Sequence, residues 1–229
     1  MAMIAMHILV YLNMQSLIKP TKLGINTEHN VFFTSDTHFG HNKEFLYVKR
    51  GYTNVFEHDA DIMNRWNKKV TNCDTVIHCG DVMFGEGGLE RITKYFEALN
   101  FKTLVVLPGN HHAGLKQWID AHGTEHILGD KEIYIVPNYI ELIVCGQPIV
   151  VCHYPISSWN GMSHGSWCIC GHCHGSFSGS QLENKEGKIL DVGIEVVKEP
   201  ISFAEVKAIM NTKSIKLVDH HNASTSTAF

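Results

Sequence analysis

Apolar positions along this chain follow two patterns that alternate over its first half. Short unbroken runs, at residues 31–35, 75–79 and 103–107, are read as buried strands. Each stops abruptly at polar or glycine residues: Asp36-Thr37-His38-Phe39-Gly40-His41, then Gly80-Asp81, then Pro108-Gly109-Asn110-His111-His112. Between the runs lie stretches of helical spacing. Ile62, Met63, Trp66 and Val70 make one apolar stripe, and Leu89, Ile92, Tyr95, Phe96 and Leu99 make another. Three strand–loop–helix units in succession predict a parallel sheet wrapped by helices, with the polar loops at one edge.

After a short helical piece at 115–121 the pattern changes. Runs at 133–136, 139–144 and 149–152 are separated by turn residues and are expected to pair antiparallel. Runs at 167–170 and 188–192 follow. A last helix is expected at Ser202, with Glu205 three residues on to complete a capping box. Residues 1–28 carry no motif, and Pro20, Gly24 and Asn26 punctuate them as loop. The apolar start, 1–12, lacks a basic leader and is too short to span a bilayer; it is expected to be an irregular extension or an added strand. The organisation expected is an extension at 1–28, one domain at 29–218, and a polar tail at 219–229.

Composition narrows the class. The chain has 229 residues, a net charge of −4 and three arginines, Arg50, Arg65 and Arg91. No basic stripe interleaved with aromatics runs through it, which argues against grip on a long nucleic acid. Seven cysteines in no disulfide-like spacing point to a reducing, cytoplasmic setting. Cys168, Cys170 and Cys173 are too close together for a paired zinc knuckle, even with His164, and are read as packing.

Sixteen histidines are many for this length, and their placement turns the count into chemistry. In Gly171-His172-Cys173-His174-Gly175, extended backbone would send both imidazoles to one side. Adding the polar groups at the other strand ends makes a candidate ligand set of Asp36, His38, Asp81, Asn110, His153, His172 and His174. Seven oxygen and nitrogen donors exceed the needs of one ion and suit two sharing a carboxylate, about 3.5–4 Å apart. Such a mixture favours transition metals, with Mn first and Fe, Zn, Co or Ni as alternatives, over Ca or Mg.

The order Asp-x-His, Gly-Asp, Gly-Asn-His, His, Gly-His-x-His resembles the calcineurin-like metallophosphoesterase superfamily. His153-Tyr154-Pro155 and Asp191-Val192-Gly193 add a likeness to its small single-domain bacterial and phage members. The resemblance implies a two-sheet α/β sandwich flanked by helices, with a dinuclear metal site at the C-terminal edge of the strands. It implies one ion on Asp36, His38, Asp81 and His174, and a second on Asp81, Asn110, His153 and His172. It further implies a phosphodiesterase or phosphatase in which a hydroxide bridging the ions attacks phosphorus while His111 protonates the leaving group. Asp81, as the bridge, and His111 are thus the catalytic pair. His41, Arg50 and His112 are candidate substrate contacts. The chain departs from the family it resembles at His112, where that family usually has Asp or Glu to orient the catalytic histidine. Val82-Met83-Phe84-Gly85 replaces the Asp-Arg-Gly run of the protein phosphatases, and the short acidic chain does not suit the repair nucleases. Small phosphodiesters, nucleotides or oligonucleotide ends are the expected substrates, with no membrane partner. The rival reading is a metal-binding module on this fold without turnover.

Overall fold

In a computed structural model, residues 21–25, 30–84 and 88–217 are described, the first five by backbone alone. The first three apolar runs are strands β2 (Val31–Thr34), β3 (Thr75–His78) and β4 (Thr103–Val106), every residue of them buried; one more strand, β1 (Thr21–Ile25), precedes them. Burial on both faces explains why these strands are continuously apolar rather than alternating. Successive residues still face opposite ways. Phe33, Ile77 and Val105 enter one core, whereas Phe32, Val76, Leu104 and Val106 enter the other.

Helices α1 (Glu44–Tyr47), α2 (Val55–Lys69), α3 (Gly88–Ala98) and α4 (Ala113–His122) follow β2, β3 and β4 in the expected alternation. The Asn54 side chain caps α2 by accepting from Glu57 N at 2.9 Å, and Lys68 and Lys69 sit favourably in its last turn. The apolar stripes of α2 to α4 cover one face of this sheet through Ile62, Trp66, Ile92, Phe96 and Trp118.

The next runs form β5 (Glu125–Leu128), β6 (Lys131–Ile135), β7 (Tyr139–Val144), β8 (Gln147–Cys152), β9 (Trp167–Cys170) and β10 (Ile189–Asp191). After them come α5 (Ile194–Val197), β11 (Ile201–Ser202) and α6 (Phe203–Asn211), with the Ser202–Glu205 capping box in place. Among the described residues the strands make two sheets, ordered β11-β2-β3-β4-β6-β5 and β1-β7-β8-β9-β10. Their facing surfaces enclose a shared core in which Phe33, Ile77 and Val105 of the first sheet belong with Leu142, Val151, Trp167, Ile169 and Leu190 of the second. This is the expected two-sheet sandwich with helices outside.

Two expectations from the pattern need correction. The run at 133–136 does not pair with the run that follows it. As β6 it extends the first sheet, antiparallel to β5 and parallel to β4, and does not pair with β7; β7 and β8 pair antiparallel as expected. β8, β9 and β10 run parallel to one another. Apolar content alone cannot state direction; connection and available edge decide it. Second, residues 21–25 are not loop but strand β1, lying parallel on the edge of β7. An open row of backbone donors and acceptors on β7 recruits that segment despite Gly24. The rest of the expected extension and the tail from 219 lie outside the described residues.

Candidate metal centre

Parallel direction brings the loops together. β2, β3 and β4 share one direction, so the residues that follow them emerge at one edge; β8 and β9, also parallel to each other, deliver His153 and the His172 loop. The loops are stitched by backbone bonds: Asp36 N to Gly80 O and His38 N to Asp81 O, both 3.0 Å, and Gly171 N to His153 O, 3.0 Å. Glycine is required where they touch. A Cβ on Gly109 would overlap Asp81 Oδ1, and one on Gly171 would overlap Asp36 Oδ2 and Ser35 Oγ.

Strain marks the same place. Among the described residues seven non-glycine residues have positive φ, and five are Asp36, His38, Asp81, His172 and His174. Each costs about 1–3 kcal/mol, which the surrounding fold must offset, and such clustering is a property of functional sites.

All seven proposed donors meet here. Ligand atoms of Asp36, His38 and His174 lie within 4.8 Å of one another, as do those of Asp36, Asp81 and His153. Asp81 Oδ2 is 3.7 Å from His38 Nε2 and 3.4 Å from His153 Nε2, so it stands between the two ends of the site. Asn110 Oδ1 is 2.9 Å from both His153 Nε2 and His172 Nδ1. His153 Nδ1 donates to Cys79 O at 2.9 Å, which directs Nε2 towards the oxygens of Asn110 and Asp81. Electron-pair donors converging on one another is an arrangement for cations. Metal–ligand bonds of about 2.0–2.2 Å place neighbouring ligands roughly 3–3.5 Å apart. Asp36 Oδ1 and both ring nitrogens of His38 are buried with no hydrogen-bond partner. Orphaned polar atoms in so dry a position fit divalent transition metals.

Electrostatics agree with crowding. Burial pushes the Asp36 carboxyl up to about 6, against the pull of His153 and His174. Burial also works against a charged Asp81, yet His153 and the His111 N–H hold its carboxyl well below the usual range. His38 is driven well below its ordinary value by burial. His153 is raised, because Asp81 and Asp36 outweigh its desolvation.

The supporting shell was not foreseen. His174 Nδ1 donates to Glu195 Oε1 at 2.6 Å, fixing which imidazole nitrogen faces the site. Arg50 Nε donates to the same oxygen at 2.7 Å, and its Nη2 to Asp36 O at 2.8 Å. Nη1 reaches Thr37 O at 3.1 Å and His58 Nε2 at 2.8 Å, and His58 Nδ1 donates to Asp59 at 2.7 Å. Arg50, offered by the sequence as a phosphate contact, is thus engaged with the protein, its side chain only 5% exposed. Asp191 receives Gly193 N and Gly175 N, pinning the His172–His174 loop. Buried His78 meets Thr37 Oγ1 at 3.0 Å, and burial lowers it to about 3, so it stands neutral beneath the loops.

Of the remaining candidates, His111 is exposed at the rim; its N–H donates to Asp81 Oδ1 at 2.8 Å. Its ring lies 5.5 Å from His38 and 4.8 Å from Phe84. His41 is buried and stacks on Phe84 at 3.9 Å. His112 is exposed at the N-cap of α4. Among the described residues no carboxylate hydrogen-bonds or ion-pairs with the His111 ring, and its backbone N–H is the group that meets Asp81. Tyr154, 40% exposed, lies against His172 at 4.6 Å.

The chain is 26% identical over 192 residues to "Uncharacterized protein MJ1445" of Methanocaldococcus jannaschii, covering 82% of this chain and 96% of that one. It is 25% identical over 200 residues to "Gene 66 protein" of Mycobacterium phage L5, covering 80% and 94%. In fold it is similar to the solved structure of AQ665, a protein of unknown function from Aquifex aeolicus, with a TM-score of 0.55 and 20% identity over 79% of this chain and 99% of that one. Residues 29–176 match the family described as calcineurin-like phosphoesterase, and that span closes just past His174, so every one of the converging donors falls inside it: the chain belongs to the calcineurin-like phosphoesterases.

Proposed function

We propose that this protein hydrolyses small phosphate esters, namely phosphodiesters, nucleotides or oligonucleotide ends. Asp36, His38, Asp81 and His174 would hold one divalent ion, and Asp81, Asn110, His153 and His172 the second, with Mn the first choice. Ions bound there supply Lewis acidity, polarising phosphoryl oxygens and making water acidic enough to attack phosphorus near neutral pH. The observation that carries the reading is the orphaned set itself: Asp36 Oδ1 and the His38 nitrogens, buried and unpartnered among converging donors.

The chain's own groups do the rest. Asp81 takes the central place, its Oδ1 fixed by His111 N–H and its Oδ2 left towards His38 and His153. His111, exposed at the rim and tethered through its backbone to Asp81, would give a proton to the departing oxygen. His153 is oriented by Cys79 O and His174 by Glu195. The free cysteines, four of them buried, suit a reducing cytoplasm.

The test is turnover of bis(4-nitrophenyl) phosphate and 4-nitrophenyl phosphate by metal-free protein reloaded in turn with Mn, Fe, Zn, Co and Ni. Metal-dependent release of nitrophenol is expected. Protein that binds two ions per chain yet hydrolyses neither ester overturns the reading in favour of a metal-binding module.

A further inference from the structure

Beside His174 the surface opens into a cleft of about 460 Å³, within the ordinary range for ligand sites. The Arg50–Glu195 pair forms its inner end next to His174, and Lys49, Arg65 and Lys198 line the more exposed part. Four basic side chains therefore gather around one carboxylate in a chain whose net charge is −4. Two of those cations are already balanced: Arg50 Nη2 lies 2.5 Å from Glu195, and Arg65 lies 2.5 Å from Asp61. Among the described residues neither Lys49 nor Lys198 forms an ion pair with a carboxylate. Lys198 Nζ donates one bond, to Glu195 O at 2.7 Å, and keeps two further donors. Its backbone has φ +66°, a conformation in which glycine is least strained. A long cationic side chain is thus carried on the cleft at a position where the backbone alone would favour glycine.

The geometry points to this cleft as a subsite for a second phosphate of the substrate, so that the enzyme prefers phosphoesters whose organic arm bears another phosphate group. The inference rests on the phosphoesterase reading and names its substrate class. A phosphate dianion matches the two uncompensated ammonium groups in charge, and each can donate hydrogen bonds to its oxygens. His174 belongs both to the cluster of converging ligand atoms and to the lining of the cleft, so the cleft adjoins the site of reaction.

The experiment compares two substrates with the same scissile ester: the 4-nitrophenyl ester of thymidine 5′-phosphate, with and without a 3′-phosphate. The reloaded wild type should favour the 3′-phosphorylated ester in kcat/KM by about 10-fold, from two exposed charge contacts. That preference should shrink as salt rises. It should fall towards one in the double variant Lys49→Gln/Lys198→Gln and persist in Lys49→Arg/Lys198→Arg, which separates charge from folding. Equal kcat/KM for the two esters in the wild type overturns the subsite while leaving the phosphoesterase reading standing. A preference that survives the Gln pair overturns its assignment to these lysines. Should neither ester be turned over with any metal, the phosphoesterase reading fails. Calorimetry of metal-free protein with thymidine 3′,5′-bisphosphate then decides the cleft. Binding lost in the Gln pair supports it, and no binding overturns it.

Discussion

Glu195 is the group whose removal best separates support of the candidate metal centre from support of the fold. Its Oε1 accepts from His174 Nδ1 at 2.6 Å and from Arg50 Nε at 2.7 Å. Burial alone would raise its carboxyl, yet His174 and Arg50 hold it below the usual range, so it is ionised at neutral pH. Two losses follow from Glu195→Ala. The first is orientation of His174: removing the acceptor behind a ligating imidazole typically costs 10–100-fold in metal affinity, about 1.4–2.7 kcal/mol. The second is the partner of Arg50. Breaking a fully buried pair costs roughly 3–5 kcal/mol. These side chains are 5% and 16% exposed, and Arg50 keeps Asp36 O, Thr37 O and His58, so about 1–3 kcal/mol is expected. Glu195→Gln retains an acceptor for His174 and loses only the charge; its affinity loss should be nearer 10-fold. Metal affinity is measured by competition with a chromophoric chelator, and stability by urea unfolding of the metal-free protein. Arg50→Met is the control, since it removes the ion pair but leaves Glu195 on His174. If Glu195→Ala binds metal within about 2-fold of wild type while losing the same stability as Arg50→Met, Glu195 serves only to anchor Arg50 and the reasoning is wrong.

Asp81→Asn should lower occupancy by both ions, because Asp81 Oδ2 lies between His38 and His153; elemental analysis finding one metal per chain, unchanged in the variant, refutes the two-ion arrangement. His111→Ala should keep its metal and lose about 10²–10⁴-fold in turnover of alkyl esters, with much less loss on nitrophenyl esters, whose leaving group needs no proton; equal losses on both esters would remove the proton-donor role. Burial raises the thiols of Cys79, Cys168 and Cys170 above their ordinary 9.0, so the folded state stays protonated where the unfolded state ionises. The stability they contribute is fully present below pH 9 and is lost above it, at up to about 1.4 kcal/mol per thiol per pH unit; urea midpoints at pH 8 and 10.5 should diverge less in Cys168→Ala, and an unaltered slope would contradict this. Cys173→Ala should retain both metals, since Cys173 is in neither cluster of converging ligand atoms; loss of metal on that change would make the thiol a ligand.

Much of the sandwich could be read from periodicity because it reflects burial, and burial is a local constraint on residue type. The unbroken runs at β2, β3 and β4 had to be covered on both faces, and the stripes through Trp66 and Phe96 had to cover one of them. The donor groups were legible for a related reason. Asp36, Asp81 and Asn110 lie two, three and four residues beyond the ends of β2, β3 and β4, and such short steps leave little freedom over which edge they reach. Segments whose state depends on a partner's open edge were not legible. β1 exists as a strand through its pairing with β7, and β6 joined the first sheet because β4 offered an edge in the parallel sense.

The same division runs through the site. Chemistry stated by residue type at fixed spacing, such as His172 and His174 between glycines, is present in the sequence itself. The partners of those groups are not. Glu195 lies 21 positions from His174 and 145 from Arg50, and no local pattern links the three. Only the docking of α5 beside β2, through the Ser35–Gly193 bridge, brings that carboxylate behind the imidazole. Likewise nothing in the spelling of Lys49, Arg65 and Lys198 distinguishes them from solvated surface charge. Their meeting in one cleft follows from three separate elements converging beside His174, and convergence of distant segments is set by packing, not by sequence order.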